Sequence, residues 1–177
     1  YGLTCASSGD VSDVVQLQLR TNGLAGSLPT ELGEMTEMTS NMDLRQNSIT
    51  GSIPTELGGM TGMESFFLLH SNSLSKAIPT ELGGMTGMTS RFHLNSNSLS
   101  DEIPTELGGL TGITQYFDLT SNRLCGSVPA DVASIVSSAS DSDVTTGNFV
   151  GPTPCAAVSG LVALVGSKPS IPFHCVS

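Results

Sequence analysis

The chain has 177 residues, a formal net charge of −10 at pH 7, a hydrophobic fraction of 38% and a charged fraction of only 12%. This length suits one domain with a proper core, and the acidic balance disfavours nucleic acid and anionic membranes as partners. The most apolar run, residues 158–165, is interrupted by Ser159 and Gly160. It is far shorter than the roughly 20 residues of a membrane span. We therefore expect an acidic, soluble protein that does not insert into membranes.

A period of 25 residues organises most of the sequence. Two residue types mark it: Asn22, Asn47, Asn72, Asn97 and Asn122, and Pro29, Pro54, Pro79, Pro104 and Pro129. A period between about 20 and 50 residues is typical of solenoids, in which each repeat packs only on its neighbours. Because such proteins usually bind through their surfaces, the period favours recognition over catalysis.

Each repeat begins with a predicted short strand, in which apolar residues such as Phe92 and Leu94 alternate with outward residues. Stacked repeats would place these strands in one parallel sheet. Its inward columns would be Leu17, Met42, Phe67, Phe92 and Phe117, and Leu19, Leu44, Leu69, Leu94 and Leu119. The asparagine that follows is expected to bond backbone groups of its own and neighbouring turns.

The second half of each repeat is predicted to be a proline-led helical turn. Proline fixes φ and lacks a donor, so Pro104 suits the start of such a turn. We expect the Thr105 hydroxyl to cap the turn and Glu106 to lie near its positive end. The recurring methionines, such as Met85 and Met88, are interpreted as flexible core fillers and not as metal ligands.

The pattern Leu-x-Leu-x-x-Asn-x-Leu-x-Gly-x-Ile-Pro, of which residues 47–54 are a close instance, resembles the plant-type extracellular leucine-rich repeat. That repeat occurs in receptor ectodomains and polygalacturonase-inhibitor proteins, and the resemblance covers about residues 1–154. It implies an α/β repeat fold: a right-handed leucine-rich repeat solenoid with a parallel concave β-sheet and short 3-10 or α turns on the convex side. The unit is one residue longer than the usual plant form, and the extra residue lies between Met88 and Phe92. The dense methionine and the repeated Pro-Thr-Glu-Leu-Gly resemble leucine-rich repeat proteins of microalgae.

The resemblance also divides the chain. Residues 1–16 are expected to form part of an N-terminal cap, residues 17–154 about six repeats, and residues 155–177 a C-terminal cap. The last repeat is degenerate, with Gly147 at the asparagine position and residues 142–144 as a reduced strand. The chain begins at Tyr1, which we interpret as a processed or truncated product. In the family, the cysteine corresponding to Cys5 pairs with an upstream cysteine.

Three of the four cysteines, Cys125, Cys155 and Cys175, lie in the last third, where disulfides would staple the end of a solenoid. With the C-terminal cap assigned, a Cys155–Cys175 bridge is the preferred pairing, although four cysteines allow three connectivities. The sequence contains no Cys-x-x-Cys pair, which disfavours a zinc site. The cysteines favour a secreted or lumenal, oxidising location.

The candidate binding residues are the outward positions of the strands, because these differ between repeats while the turns are nearly identical. In a leucine-rich repeat they form the concave surface, and aromatic and arginine side chains are favoured at interface hot spots. The candidates are Arg20, Asp43, Arg45, Phe66, Leu68, His70, Arg91, His93, Tyr116 and Asp118. The basic members predict a locally basic surface suited to an anionic glycan or acidic peptide, beside protein ligands in general. The alternatives are neutral drift of exposed positions and cover of Leu68 by a neighbouring loop.

The sequence therefore predicts a non-enzymatic extracellular recognition module that needs no metal and no cofactor. No catalytic triad, carboxylate pair or phosphate loop is evident in it. A scaffold role in a larger assembly is one alternative, and the oligomeric state is left open. Ice binding is another, through two threonine ladders: Thr30, Thr55, Thr80 and Thr105, and Thr36, Thr61, Thr86 and Thr111. The glutamates beside the first ladder weigh against a flat, uncharged ice-binding surface.

Overall fold

Two β-sheets run along the molecule in the computed structural model, which describes residues 2–5, 14–152 and 155. The first sheet has the strand order β1-β2-β4-β6-β8-β10 and the second the order β12-β11-β9-β7-β5-β3. The strands are β1 Gly2–Cys5, β2 Val14–Gln18, β3 Ala25–Ser27, β4 Asn41–Asp43, β5 Ser48–Gly51, β6 Ser65–Leu68, β7 Ser73–Lys76, β8 Ser90–His93, β9 Ser98–Glu102, β10 Gln115–Asp118, β11 Arg123–Gly126 and β12 Phe149–Val150. A circuit of the chain thus adds one strand to each sheet.

The first sheet places equivalent residues of successive repeats side by side. From β2 to β10 the strands are parallel, and Leu17, Met42, Phe67, Phe92 and Phe117 form one row. β1 pairs antiparallel with β2 and ends the described sheet on that side. At the other end, Ser140 and Asp143 make isolated parallel bridges to β10, close to the reduced strand expected at residues 142–144.

The second sheet was not predicted from the sequence. Its strands follow each ladder asparagine, where residues such as 48–51 extend before the next proline. Parallel pairing of neighbours, for example Ser48–Gly51 with Ser73–Lys76, satisfies backbone groups that would otherwise need solvent. The repeat is therefore closed by hydrogen bonds on two sides of the solenoid.

Short helices close each circuit on the side opposite the first sheet. The 3-10 helices are Thr30–Glu34, Thr55–Gly59, Thr80–Gly84 and Thr105–Gly109, and the α-helix α1 is Ala130–Ser138. A proline precedes each helix in extended conformation, for example Pro54 at φ −64°. The predicted threonine cap is wrong: none of the four described 3-10 helices has a side-chain cap, and the Thr55 hydroxyl instead donates to Glu56 Oε2 at 3.2 Å.

The core is a set of apolar columns between the sheets and the helices. Phe67, Phe92 and Phe117 are fully buried, and their rings stack with centroids 5.3 Å apart along the row. Met38, Met60, Met63, Met85 and Met88 are also fully buried, in agreement with their interpretation as core fillers.

A hydrogen-bonded asparagine ladder joins each repeat to the one before it. Asn97 donates from Nδ2 to the carbonyls of Leu69 and Leu94 at 3.1 and 3.0 Å, and its Oδ1 accepts the Leu74 N–H at 3.0 Å. Asn47, Asn72 and Asn122 repeat this arrangement. In the last repeat the ladder residue is Asn148, which bonds Leu119, Val144 and Leu124. The assignment of this position to Gly147 is therefore wrong by one residue.

Glycines in the turn allow the 3-10 helices to stack closely. A Cβ added at Gly83 would collide with the backbone carbonyl of Glu106 in the next repeat, and Gly58 meets Glu81 in the same way. By contrast, a Cβ at Gly84 would lie 3.5 Å from the Gly58 carbonyl oxygen, an ordinary contact. The first glycine of each pair is therefore a packing requirement.

The disulfide differs from the preferred pairing. Cys155 bonds to Cys125, with their Cα atoms 5.1 Å apart, so the predicted Cys155–Cys175 bridge is wrong. β12 pairs with β11 at Cys125 and Phe149, and the chain that leaves β12 is thereby held beside Cys125. Cys175 and most of the expected C-terminal cap lie outside the described residues. Within the described part of the chain, no helix has the length and apolarity of a membrane span.

Replacing Asn97 with alanine is predicted to lower the free energy of unfolding by about 1–3 kcal/mol. The Leu74 N–H loses its acceptor, and the Leu69 and Leu94 carbonyls each keep only the bond from a neighbouring asparagine. Asn22→Ala is the matched control, since this side chain is exposed at the first repeat. It should cost less than about 0.5 kcal/mol. Urea unfolding of both variants measures the difference, and equal losses would contradict a structural role for the ladder.

Gly83→Ala should destabilise the protein by about 1–3 kcal/mol, since the added methyl must push apart two stacked turns. Gly84→Ala, one residue later, should be neutral or slightly stabilising because its methyl has room. The two melting temperatures, measured side by side, test the stacking argument. A Gly84 variant as unstable as the Gly83 variant would refute it.

Candidate functional site

The candidate site lies on the outward face of the first sheet, called here the concave face. Three columns of outward residues cross it, one before, one between and one after the inward core positions. The first column includes Phe66, Arg91 and Tyr116; the second Gln18, Asp43, Leu68, His93 and Asp118; the third Arg20, Arg45, His70, Asn95 and Thr120. All ten predicted site residues therefore lie on one face.

The extra residue of the 25-residue unit forms a bulge in three consecutive strands. Ser65 pairs with Ser90 and Phe67 with Phe92, while Phe66 and Arg91 between them are left out of the register. The same gap occurs between β8 and β10, where Tyr116 is left out. Phe66, Arg91 and Tyr116 have φ of 59°, 57° and 61°, in the left-handed region that bulky residues rarely occupy. We call these three residues the aromatic–arginine ridge.

Within the ridge, the Arg91 guanidinium stacks between two aromatic rings. Its Cζ lies 4.6 Å from the centre of the Phe66 ring and 5.0 Å from the centre of the Tyr116 ring. Cation–π contacts of this length are favourable, and Arg is well suited to them because its guanidinium is planar. All three side chains are half-buried, so part of each faces solvent.

Two histidines continue the surface from the ridge. The Tyr116 and His93 ring centres are 6.2 Å apart, and those of His93 and His70 are 5.2 Å apart. Burial lowers the pKa of His70 to about 4, helped by His93 and Arg45. Burial also lowers the pKa of His93, against the opposing effect of Asp118. Both imidazoles are therefore neutral at pH 7, and His70 Nδ1 and His93 Nε2 have no hydrogen-bond partner among the described residues.

Beyond the histidines lies an open depression of about 380 Å³, lined by Gln18, Arg20, Asn41, Asp43 and Arg45. The Nε of Arg20 donates to Gln46 at 3.1 Å. The Nε of Arg45 lies 3.3 Å from Asp43 Oδ2, an ion pair without hydrogen-bond alignment. Since each Nε faces the protein, the outer guanidinium nitrogens remain for a ligand.

The charge on the concave face is balanced, so the predicted local basicity is corrected. Arg20, Arg45 and Arg91 are offset by Asp43 and Asp118 of the middle column and by Asp143, which pairs with Asp118 in the sheet. The two histidines carry no charge at neutral pH. The concave face is therefore less acidic than the rest of the chain, but it is not basic. Its distinctive content is therefore aromatic and guanidinium surface.

Two predicted contacts are not on the accessible surface. Leu68 is 2% exposed although it lies outside the core cluster, which places it beneath other side chains of the concave face. Asp43 is 7% exposed, and its carboxylate forms an ion pair with Arg45. Both are corrected from ligand contacts to supporting positions, whereas Asp118 stays half-buried and accepts the Thr120 N–H.

The convex threonine ladders are exposed but differ from a bare hydroxyl array. In the first ladder each hydroxyl donates to the neighbouring glutamate, at 3.4, 3.2, 3.2 and 3.2 Å for Thr30, Thr55, Thr80 and Thr105. The first ladder is thus a row of glutamate carboxylates, each of which accepts a hydrogen bond from the neighbouring threonine hydroxyl. Among the described residues there is also no group of three or more His, Cys, Asp or Glu side chains arranged to hold a metal.

Stability should fall as the pH is lowered from about 6.5 towards 4. The unfolded chain takes up a proton at His70 near its ordinary pKa of 6.5, while the folded protein resists protonation until about pH 4. His70→Gln should flatten the melting temperature between pH 7 and 4.5 relative to wild type. Burial would raise the pKa of Asp143, but hydrogen bonds from Thr146 and Thr145 lower it to about 2. Protonation of Asp143 therefore affects stability only at a pH below this window. Parallel curves for the two proteins would contradict the assignment.

Comparison with known proteins agrees with this geometry. The family described as "Leucine Rich Repeat" matches residues 40–60, which span β4 and β5. No curated protein matches the chain.

Solved structures match much more of the chain. The ectodomain of the Arabidopsis thaliana receptor kinase GASSHO1/SCHENGEN3, in complex with CASPARIAN STRIP INTEGRITY FACTOR 2, is 34% identical with a TM-score of 0.75; the match covers 90% of this chain and 18% of that one. The Arabidopsis thaliana BIR3–SERK2 complex is 27% identical with a TM-score of 0.68; the match covers 87% of this chain and 79% of that one. A plant ice-binding protein is 28% identical with a TM-score of 0.62; the match covers 70% of this chain and 40% of that one.

These matches support the solenoid fold described above. The present chain spans about a fifth of the GASSHO1/SCHENGEN3 ectodomain and most of the matched chain of the BIR3–SERK2 complex. The chain therefore has the leucine-rich repeat fold, a right-handed solenoid with a parallel concave β-sheet and short 3-10 turns on its convex side, and it is similar to plant proteins of this fold.

Proposed function

We propose that this chain is a non-enzymatic extracellular recognition module that binds a protein or peptide segment along its concave face. The observation that carries the proposal is the continuous track from the aromatic–arginine ridge through His93 and His70 to the depression at Arg20. Aromatic and arginine side chains supply most interface energy where they are held in place before binding.

The contrast between the two faces supports this placement. The convex side repeats the same turn in each unit, and its glycines and leucines are set by packing. The concave side changes chemistry from strand to strand, and its aromatic, arginine and histidine side chains are only half-buried at Phe66, Arg91 and His93. A polypeptide suits such a mixed surface, since it presents varied side chains together with backbone donors and acceptors at every residue.

An extracellular setting is supported by the Cys125–Cys155 disulfide, because such bonds persist in oxidising compartments. The similar structures also bear on the partner: one is an ectodomain bound to CASPARIAN STRIP INTEGRITY FACTOR 2, and another is a complex of BIR3 with SERK2. Because the concave face is charge-balanced, we favour a polypeptide over a polyanionic glycan.

Ice binding is the second candidate function, favoured by the similarity to a plant ice-binding protein. The glutamates that hold the Thr30, Thr55, Thr80 and Thr105 hydroxyls argue against it on the first ladder. Growth of a single ice crystal in the presence of the protein separates the two functions, since a recognition module should leave its shape unchanged.

The proposal is tested by selecting binders from a random peptide display library on the immobilised protein. Selected peptides should bind Arg20→Glu/Tyr116→Ser about tenfold more weakly than wild type, because the substitutions remove an exposed and a half-buried anchor of the track.

The matched control is Thr61→Glu/Thr86→Glu, which makes the same change in net charge at exposed convex positions. It should retain wild-type binding, and all proteins should share one melting profile. Peptides that depend on the convex substitutions and ignore the concave ones would refute the proposed face.

A further inference from the structure

We propose that the aromatic–arginine ridge is a carboxylate-binding anchor: the edge of the Arg91 guanidinium receives one acidic side chain of the ligand. This inference rests on the proposed function, since it assumes that a polypeptide lies on the concave face. It predicts that the ridge binds a carboxylate and therefore selects ligands with an acidic side chain at this position.

The stacking of Arg91 leaves one direction of approach. The centres of the Phe66 and Tyr116 rings lie 4.6 and 5.0 Å from the guanidinium carbon of Arg91. The N–H groups of an arginine lie in the plane of its guanidinium, in a fork that matches the two oxygens of a carboxylate. With two rings against the guanidinium, its N–H fork is the part left for a ligand, which favours a planar, bidentate acceptor.

The backbone holds this arrangement before any ligand arrives. Each ridge residue has φ near 60°, although none is glycine, asparagine or aspartate. Strained conformations of bulky residues persist where the surrounding structure enforces them, and they concentrate at functional sites. Here the register of Ser65 with Ser90, and of Phe67 with Phe92, fixes the bulge from both sides. Since the rings restrict its rotamers, Arg91 loses less freedom on binding than a free arginine would.

The charge of Arg91 is not neutralised within the described residues. The one ion pair among them joins Arg45 to Asp43, and Arg91 has no carboxylate within the 4 Å limit for such a pair. The flanking rings exclude water from the faces of the cation, which strengthens its attraction for an anion. A carboxylate from a ligand would complete this site.

The surroundings restrict the ligand to a single carboxylate. Asp118 and Arg91 both lie close enough to His93 to change the pKa of its imidazole, which Asp118 raises and Arg91 lowers. The chain as a whole carries a net charge of −10. A polyanion would be repelled, whereas one acidic residue between apolar neighbours could pair with Arg91 while its neighbours contact Phe66 and Tyr116.

Nuclear magnetic resonance titration of the protein tests the anchor with two short probes, acetyl-Leu-Glu-Leu-amide and acetyl-Leu-Gln-Leu-amide. The Glu probe should perturb the Arg91 side-chain N–H and the Phe66 and Tyr116 amides in a saturable way. The Gln probe, which keeps the shape and removes the charge, should bind at least about tenfold more weakly. Sodium sulfate at equal ionic strength serves as a free anion and should perturb Arg91 less than the Glu probe does.

Three variants localise the effect. Arg91→Gln should abolish the preference for Glu over Gln, and Arg91→Lys should retain only part of it because an ammonium lacks the fork. Arg123→Gln makes the same change in charge on β11, in the other sheet, and should behave as wild type. Unchanged backbone amides in the core rows report that each variant is folded.

Equal affinity for the two probes, or a Glu preference that survives Arg91→Gln, overturns the inference. An equal response to sulfate reduces Arg91 to a general anion contact and also overturns it. Library-selected peptides that need the concave face but ignore Arg91→Gln would leave the proposed function intact and remove only the anchor. Peptides that ignore the concave face altogether would remove both.

Discussion

The backbone of each repeat must lie within hydrogen-bonding distance of the next around its whole circuit, and the rest of the structure depends on this constraint. The asparagine ladder meets it at the end of each concave strand, where Asn97 bonds carbonyls of two repeats. Glycines such as Gly83 meet it on the convex side, where no side chain fits. The uniform parts of the sequence are therefore explained by packing between repeats, which leaves the variable parts to explain function.

The extra residue of the unit behaves differently along the solenoid. In the first repeats the corresponding residues stay in the ladder, where Gln16 pairs with Asn41. In the next three strands Phe66, Arg91 and Tyr116 leave the ladder, while the residues on either side of them stay paired. The bulges occur in the three repeats whose inward residues are the stacked phenylalanines. They place Phe66, Arg91 and Tyr116 in one row beside the histidines. The residues that leave the ladder thus lie together on the candidate binding surface.

The period allowed the solenoid, the inward columns and the candidate face to be predicted, because each depends on residues that recur at one spacing. Features that depend on interactions between repeats could not be read in this way. The shift of the last ladder residue to Asn148 and the Cys125–Cys155 bond follow from where the degenerate repeat packs. Leu68 is buried although its place in the strand predicts an outward, exposed residue. The extra residue was located between Met88 and Phe92, but its left-handed conformation and the stacking on Arg91 appear only when adjacent strands are paired.

The central claim is that the ridge exists in the free protein as a consequence of strand register. The most direct measurement is the backbone conformation of Phe66, Arg91 and Tyr116 in unliganded protein, from intraresidue amide–Hα distances and coupling constants in solution. The account predicts left-handed φ at all three residues, together with ring-current shifts of the Arg91 side-chain protons. Extended or averaged φ values at these positions, with unshifted Arg91 protons, would contradict it.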